Sequence, residues 1–337
     1  MRLRRHQATP SSAVIPTLAI PLLLATTSAA LHPVLAGAQG LKLAVGDVGL
    51  GIGDVPRIDG LRLNFRDRYM ERVRGVNLTI WTPHEDPRGV VHGLAVGVPL
   101  TGAAEIRGLA VGAGIAAERE FSGVGIAPIG MGAGDRMRGI VIAGIGAGGG
   151  GTLDGLMVGG IGVGAGESVR GISIAGVGAG AGGDITGLTV GGVGVGAGGS
   201  IRGVTIAGIG AGAGGDVTGL SIAGGGVGSG GELKGLAVAG LGVGAPRITG
   251  VVLSGIGAGG VDVHGLVIAP GYMRIEDEGR LRGVSVSAFN DIRGEQRGLT
   301  IGLLNIAAEL HGVQLGLINI ARNKESFPLL PLVNYHP

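Results

Sequence analysis

The stretch GVTIAGIGAGAGGDVT (203–218) is followed at once by GLSIAGGGVGSGGELK (219–234). More than half of the first unit is glycine or alanine, yet its aliphatic residues are placed with regularity that a flexible linker has no need of. Period-2 alternation runs through Val204, Thr205 and Ile206, breaks at Ala207-Gly208 and resumes through Ile209, Ala211 and Ala213. That is strand patterning interrupted by corners. Sixteen residues are too few for a helical pair, and each glycine costs about 1 kcal/mol against alanine in a helix interior. The predicted fold is therefore all-β, a parallel β-solenoid in which every unit is one coil paired with the coils above and below. On this reading Val204, Ile206, Ile209 and Val217 line a narrow apolar column and Thr205 faces outward. Aspartate at Ile206 is then expected to unfold neighbouring coils, and aspartate at Thr205 to be tolerated.

Working outward, the same glycine followed by an aliphatic residue recurs at Gly139, Gly155, Gly171, Gly187, Gly203, Gly219 and Gly235, sixteen residues apart. It continues less regularly to Gly312 on one side and back to Gly60 on the other, which places the repeat array at 60–322 with coils of about 14–18 residues. Glycine suits corners that need φ > 0 and close approach of neighbouring backbones. In the middle, units ending in Asp-Ile-Thr or Asp-Val-Thr alternate with units ending in Ser-Val-Arg or Ser-Ile-Arg, a 32-residue super-period. A duplicated two-coil block explains it. So do antiparallel hairpins, the arrangement of a transmembrane β-barrel, although three Tyr, four Phe and one Trp are too few for two aromatic girdles.

Composition supports an ordered repeat. With 77 glycines in 337 residues and 2% aromatics, a core of ordinary large side chains is out of reach. Disorder goes with low hydrophobicity, whereas 45% of this chain is apolar. Collagen needs glycine strictly every third residue. A net charge of +2 from interspersed basic and acidic residues gives no case for nucleic acid. The start is a separate object: MRLRRHQ, a largely apolar run from Ala13 to Leu35 and the small residues Ala36-Gly37-Ala38 read as a secretory signal peptide over 1–38. An uncleaved anchor is the other reading of that run. Residues 39–59 are then a lead-in or cap and 323–337 a C-terminal cap, where Pro328 and Pro331 interrupt a strand ladder. With no cysteine, the fold has no disulfide and no lipidated cysteine.

At the carboxy end the array becomes GLTIGLLNIAAELH (298–311) and GVQLGLINIARN (312–323), closing with PLLPLVNYHP. These residues resemble the leptospiral-type surface-repeat family of bacterial cell-envelope proteins, with its GhQhGLhNhA units and terminal LPhhN segment. The resemblance covers about 40 residues, with Gln314, Asn305 and Asn319 at the motif's polar positions. It implies repeat architecture and an envelope location, and the family brings no established activity with it.

Candidate chemistry is sparse. Matches to G-x-G-x-x-G carry no information in so glycine-rich a chain, and no phosphate-loop lysine follows any of them. AGAGGDIT around Asp184 and AGAGGDVT around Asp216 approach a calcium-binding nonapeptide but lack its first glycine, and turn aspartates that bond the backbone explain them as well. Two longer units interrupt the array: WTPHEDP brings Trp81, His84, Glu85 and Asp86 into one loop, and PGYMRIEDE does so for Tyr272, Glu276, Asp277 and Glu278. Insertions in solenoids often mark the binding face. Two solvated loops are the alternative. Arg74, Arg107, Arg138, Arg170, Arg202, Lys234 and Arg282 recur at coil ends and align along one edge if the coils stack, as a basic edge for anionic polysaccharide or lipid or as part of a mixed solvated surface.

No serine or threonine nucleophile is paired with a base, so no catalytic residue, metal or cofactor is assigned. The expected function is that of a non-enzymatic exported surface protein, a rigid scaffold presenting loops or a flat face to a polysaccharide, an envelope component or another protein. A carbohydrate-active solenoid enzyme is the second class, and ice binding through Thr189, Thr205 and Ser221 the third.

Overall fold

The computed structural model describes residues 40–83 and 88–337, which form strands, turns and bends without a helix. The strands stack as parallel coils of a β-solenoid of about 15 turns with a ~16-residue repeat. At about 4.8 Å per coil the stack is roughly 70 Å long. Each central coil has a long strand and a short one, such as Ile201–Ala207 and Gly210–Ala213. Val204 lies beside Leu188 and Leu220, and Ala211 beside Val195 and Val227, so every residue pairs with its counterpart one repeat away. Parallel register throughout the array replaces the antiparallel barrel considered above. The signal-peptide reading of 1–38 lies outside the described residues.

The anchor glycine is what makes this register close. Gly203 has φ of 125°, and a Cβ placed on it would lie 2.2 Å from the carbonyl oxygen of Gly187 in the preceding coil. No side chain fits there. The relation repeats along the stack, from Gly60 against Gly49 at 2.1 Å to Gly312 against Gly298 at 2.2 Å.

The interior is narrow and differs from the expected one. Leu153, Val169, Ile185, Ile201, Val217 and Leu233, two residues before each anchor, form a buried column in which every side chain is at most 3% exposed. Facing them are small residues, among them Thr205 at 1%, Ala207 at 4% and Ala211 at 6%. Val217 is inside as expected, but Ile206 is 39% exposed, Ile209 63%, and Val204 half-buried. The assignment around the anchor was therefore inverted: Thr205 is the core residue and Ile206 the surface one. Assigning the inside by hydrophobicity alone fails because the inward positions of this coil are set by the backbone, and they fall on Ile201, Thr205, Ala207 and Ala211. Thr189 and Ser221 are likewise interior, at 1% and 3%, which removes the flat threonine face required for ice binding.

Inward volumes alternate in step with the super-period from Gly155 to Thr218, and the next coil, with Val227 beside Ala223, ends the alternation. Coils with valine in the short strand, Val163 and Val195, have glycine at the end of the long strand, Gly159 and Gly191, whereas coils with Ala179 and Ala211 have Ala175 and Ala207. A Cβ on Gly191 would sit 3.0 Å from Val195 Cγ2 and 2.2 Å from Gly194 O. The extra methyls of one position fill the space left by the other, as a close-packed interior requires. The hairpin reading falls with the barrel.

Antiparallel pairing occurs at the two ends. Leu41–Val45 forms a hairpin with Val48–Ile52, which then pairs in parallel with Arg57–Asn64. At the other end Leu329–His336 runs antiparallel to the last coil, with Val333 opposite Leu315 and Tyr335 opposite Val313.

Candidate functional site

The long strand presents two outward positions, one and three residues after the anchor. At every anchor from Gly60 to Gly312 both are Leu, Ile or Val, as in Ile140/Ile142, Ile172/Ile174 and Val204/Ile206. The residue between them points inward and varies freely: Val141, Met157, Ser173, Thr205 and Ala237 are all buried. Coil-to-coil register aligns the outward residues into two unbroken aliphatic ladders. They are partly covered by one another, with Ile140 42%, Ile142 46% and Ile174 39% exposed. A third apolar column follows at the corner six residues after the anchor, where Ile145, Ile161, Val177, Val193 and Ile209 are linked by backbone hydrogen bonds. The two ladders alone cover on the order of 800 Å² in plan. Ordinary monomers expose contiguous apolar patches of a few hundred Å².

One residue away, across the anchor glycine, runs the basic edge. Arg138, Asp154, Arg170, Thr186, Arg202, Thr218 and Lys234 stack in register, and the column continues through Thr249, His264, Arg282 and Arg297. Basic residues thus recur at alternate coils, about 10 Å apart. The next outward column, on the side away from the aliphatic face, is mixed in charge: Glu232, Arg247, Asp262, Arg280 and Glu295 stack in it. There Asp184 accepts the Ser200 backbone N–H at 2.8 Å and an Arg202 guanidinium N–H at 3.0 Å. The Ser200 amide first, and Arg202 second, hold its carboxyl below the usual carboxylate range. Asp216 accepts the Glu232 amide at 2.8 Å in the same way. Both aspartates of the calcium-like segments are thus bonded to backbone, and among the described residues no three His, Asp or Glu side chains are grouped to hold a metal ion.

Trp81 and Tyr272 lie in coils far apart along the stack. Trp81, 52% exposed, stacks on Phe65 with ring centroids 6.4 Å apart and planes 6° from parallel. Its loop partners His84, Glu85 and Asp86 lie outside the described residues. Tyr272 sits near the other end of the stack, against Phe289 at 5.2 Å, and donates its hydroxyl to Asp291 at 3.1 Å. Burial, and then that hydrogen bond, push the phenol above its ordinary value. Glu276, Asp277 and Glu278 are exposed where the ladder register shifts between Ile275 and Arg280, with Glu278 at φ 63°. Glu276 bonds Arg274 at 3.0 Å. The Tyr272 loop is therefore a bulge in the wall of the stack.

An open depression of about 570 Å³ on the charged side is lined by Glu105, Arg119, Glu120, Asp135, Arg136 and Glu167. Glu105 is held there between Arg107 at 3.0 Å and Arg119 at 2.9 Å. Sequence reasoning found the basic edge and missed the aliphatic face beside it. The available signal was that the two positions flanking each buried residue never depart from Leu, Ile or Val. No known protein family, no curated protein and no solved structure matches the chain.

Proposed function

We propose that this protein is a non-catalytic, exported scaffold of the cell envelope, and that its aliphatic face is the working surface. One observation carries the reading: outward positions are uniformly aliphatic while the buried position between them is free to vary. A sheet with one face in water normally alternates the other way, with polar residues outward. Each Å² of apolar surface removed from water is worth about 25 cal/mol, so a face of this size is stabilised by whatever covers it. The resemblance of 298–337 to envelope surface repeats and the signal-like start support the location. The array supplies rigidity, because each coil is hydrogen-bonded to two neighbours and the face cannot fold away.

The test is fractionation of producing cells with parent and variant chains. The parent is expected in the envelope fraction, cleaved after Ala38. Replacing Ile142, Ile174 and Ile206 by threonine should leave the melting temperature within a few degrees, since these side chains are already half in water, and move the protein to the soluble fraction. A parent retained in the cytosol, or a variant that fractionates as the parent does, overturns the reading.

A further inference from the structure

Resting on that reading of the aliphatic face, we infer that its occupant is an anionic lipid bilayer, with the solenoid lying along the surface and the basic column at the headgroups. The order of the columns points to it. Moving outward across the long strand, aliphatic residues come first, then a column in which arginines and a lysine outnumber the carboxylates Asp59 and Asp154, and then the mixed column that holds Asp184 and Asp216. A surface that buries apolar side chains at the headgroup–acyl boundary and sets cations just beside them is suited to anionic lipid, and each basic residue near such a surface adds about 1 kcal/mol. Arginine and lysine also keep their charged heads at the interface while the stems follow the apolar surface. Trp81 and Phe65 add an exposed aromatic pair at the corner that ends the apolar side of their coils, the type of residue favoured at membrane interfaces.

A second copy of the chain fits less well. Two faces related by a two-fold axis across the stack oppose one basic column to the other. An axis along the stack opposes it to the corner column of Ile145, Ile161 and Ile209. In neither arrangement do Arg170, Arg202 and Lys234 meet Asp184 or Asp216, which stand on the outer side of the basic column. The face is also flat and repetitive along its length, without the knobs that specify a register against a rigid partner, whereas a fluid bilayer needs none.

The experiment uses the full chain with vesicles of phosphatidylcholine alone and of phosphatidylcholine with phosphatidylglycerol, separated by flotation and paired with sedimentation velocity without lipid. Three proteins are compared: the parent, a face variant with Ile140, Ile142, Ile172, Ile174, Val204 and Ile206 replaced by threonine, and a rim variant with Arg138→Gln, Arg170→Gln and Lys234→Gln. All three keep residues 1–38, so differences between them report on the array. The parent is expected to bind the anionic vesicles at least tenfold more strongly than the neutral ones, and less as salt is raised. The rim variant should lose roughly fivefold per removed charge on anionic vesicles only. The face variant should lose binding to both. Equal binding of the parent to the two vesicles, or a rim variant that binds as the parent does, overturns the inference. A parent that ignores vesicles but dimerises through residues whose threonine replacement restores the monomer overturns the lipid occupant and leaves the face as a working surface. If neither flotation nor sedimentation responds to the face substitutions, both readings fall.

Discussion

The position two residues after the anchor glycine is buried in every coil, and it is filled differently in the middle of the stack and at its ends. In the middle it holds Ser173, Thr189, Thr205 and Ser221, which contribute few hydrogen bonds: Ser173 donates to Thr189 at 3.2 Å, and the Thr205 hydroxyl has no partner. Near the N-terminal end the same position holds Arg62 and Asn77, both fully buried. Arg62 donates to Asp67 at 2.6 Å, to Asn77 at 3.2 Å and to the carbonyls of Val55 and Arg68, while Thr79 also donates to Asp67. At the C-terminal end Gln314 donates to Gln296 at 3.1 Å, and beside it Asn290, Asn305 and Asn319 form a ladder with 2.7 Å steps. Central coils are nearly interchangeable, so nothing in their packing opposes a slip of one whole repeat. Polar networks at the ends join specific partners, although the Gln314 Oε1 is left without one. They mark where the stack starts and stops, in the way that a buried polar residue sets register elsewhere.

That contrast breaks most readily at Asp67. Replacing it with alanine leaves the Arg62 guanidinium buried without its carboxylate, a loss of about 3–5 kcal/mol. Urea unfolding should register it. Amide exchange should place the damage in the first coils, because a stack transmits disturbance mainly to neighbouring repeats. Unchanged protection there would remove the network from its role. Next in size is the pair Thr205→Asp and Ile206→Asp. The first forces a carboxylate into the interior and should cost several kcal/mol, whereas the second substitutes a half-exposed surface position and should cost under about 1 kcal/mol. Equal melting temperatures would refute the inward assignment of Thr205.

Thr205→Val sharpens the comparison from the other side. It removes a buried hydroxyl without a partner and keeps the shape, so stability should rise by about 1 kcal/mol. The same exchange at Thr79, whose hydroxyl bonds Asp67, should lower it. The smallest effect is expected from pH. Since the folded state holds the Asp184 carboxyl low, its contribution is complete above the unfolded carboxylate value and is lost as pH falls through the folded one. Asp184→Asn should therefore flatten the acid limb of the melting-temperature profile between about pH 5 and 3. The pair with Arg202 is largely exposed, at 44% and 54% for the two side chains, so the change is small and shrinks further in salt.

Much of this architecture was legible in the chain. Sixteen-residue spacing of Gly139 through Gly235, aliphatic residues after each, and too many glycines for a helix together specify stacked strands. The alignment of Arg138, Arg170 and Arg202 along one edge follows from the same period. The phase was not legible. The anchor glycine takes a left-handed φ and turns its missing Cβ toward the neighbouring coil, so the residues on its two sides, Arg202 and Val204, both face outward. Period-2 counting through such a residue has no fixed sign, and hydrophobicity then selected the wrong one.

Sequence by itself determined the repeat, its period and the need for glycine at the anchor, because these depend on local sterics and composition. Which aliphatic residues lie inside was decided only by the tertiary structure. Two positions before the anchor every coil buries a large side chain, and in the coil of Ile201 the other inward positions are Thr205, Ala207 and Ala211. Ile201 therefore is core and Ile206 is surface, although the two have the same side chain. The difference between them is the space left by neighbouring coils, and that space exists only once the coils are stacked.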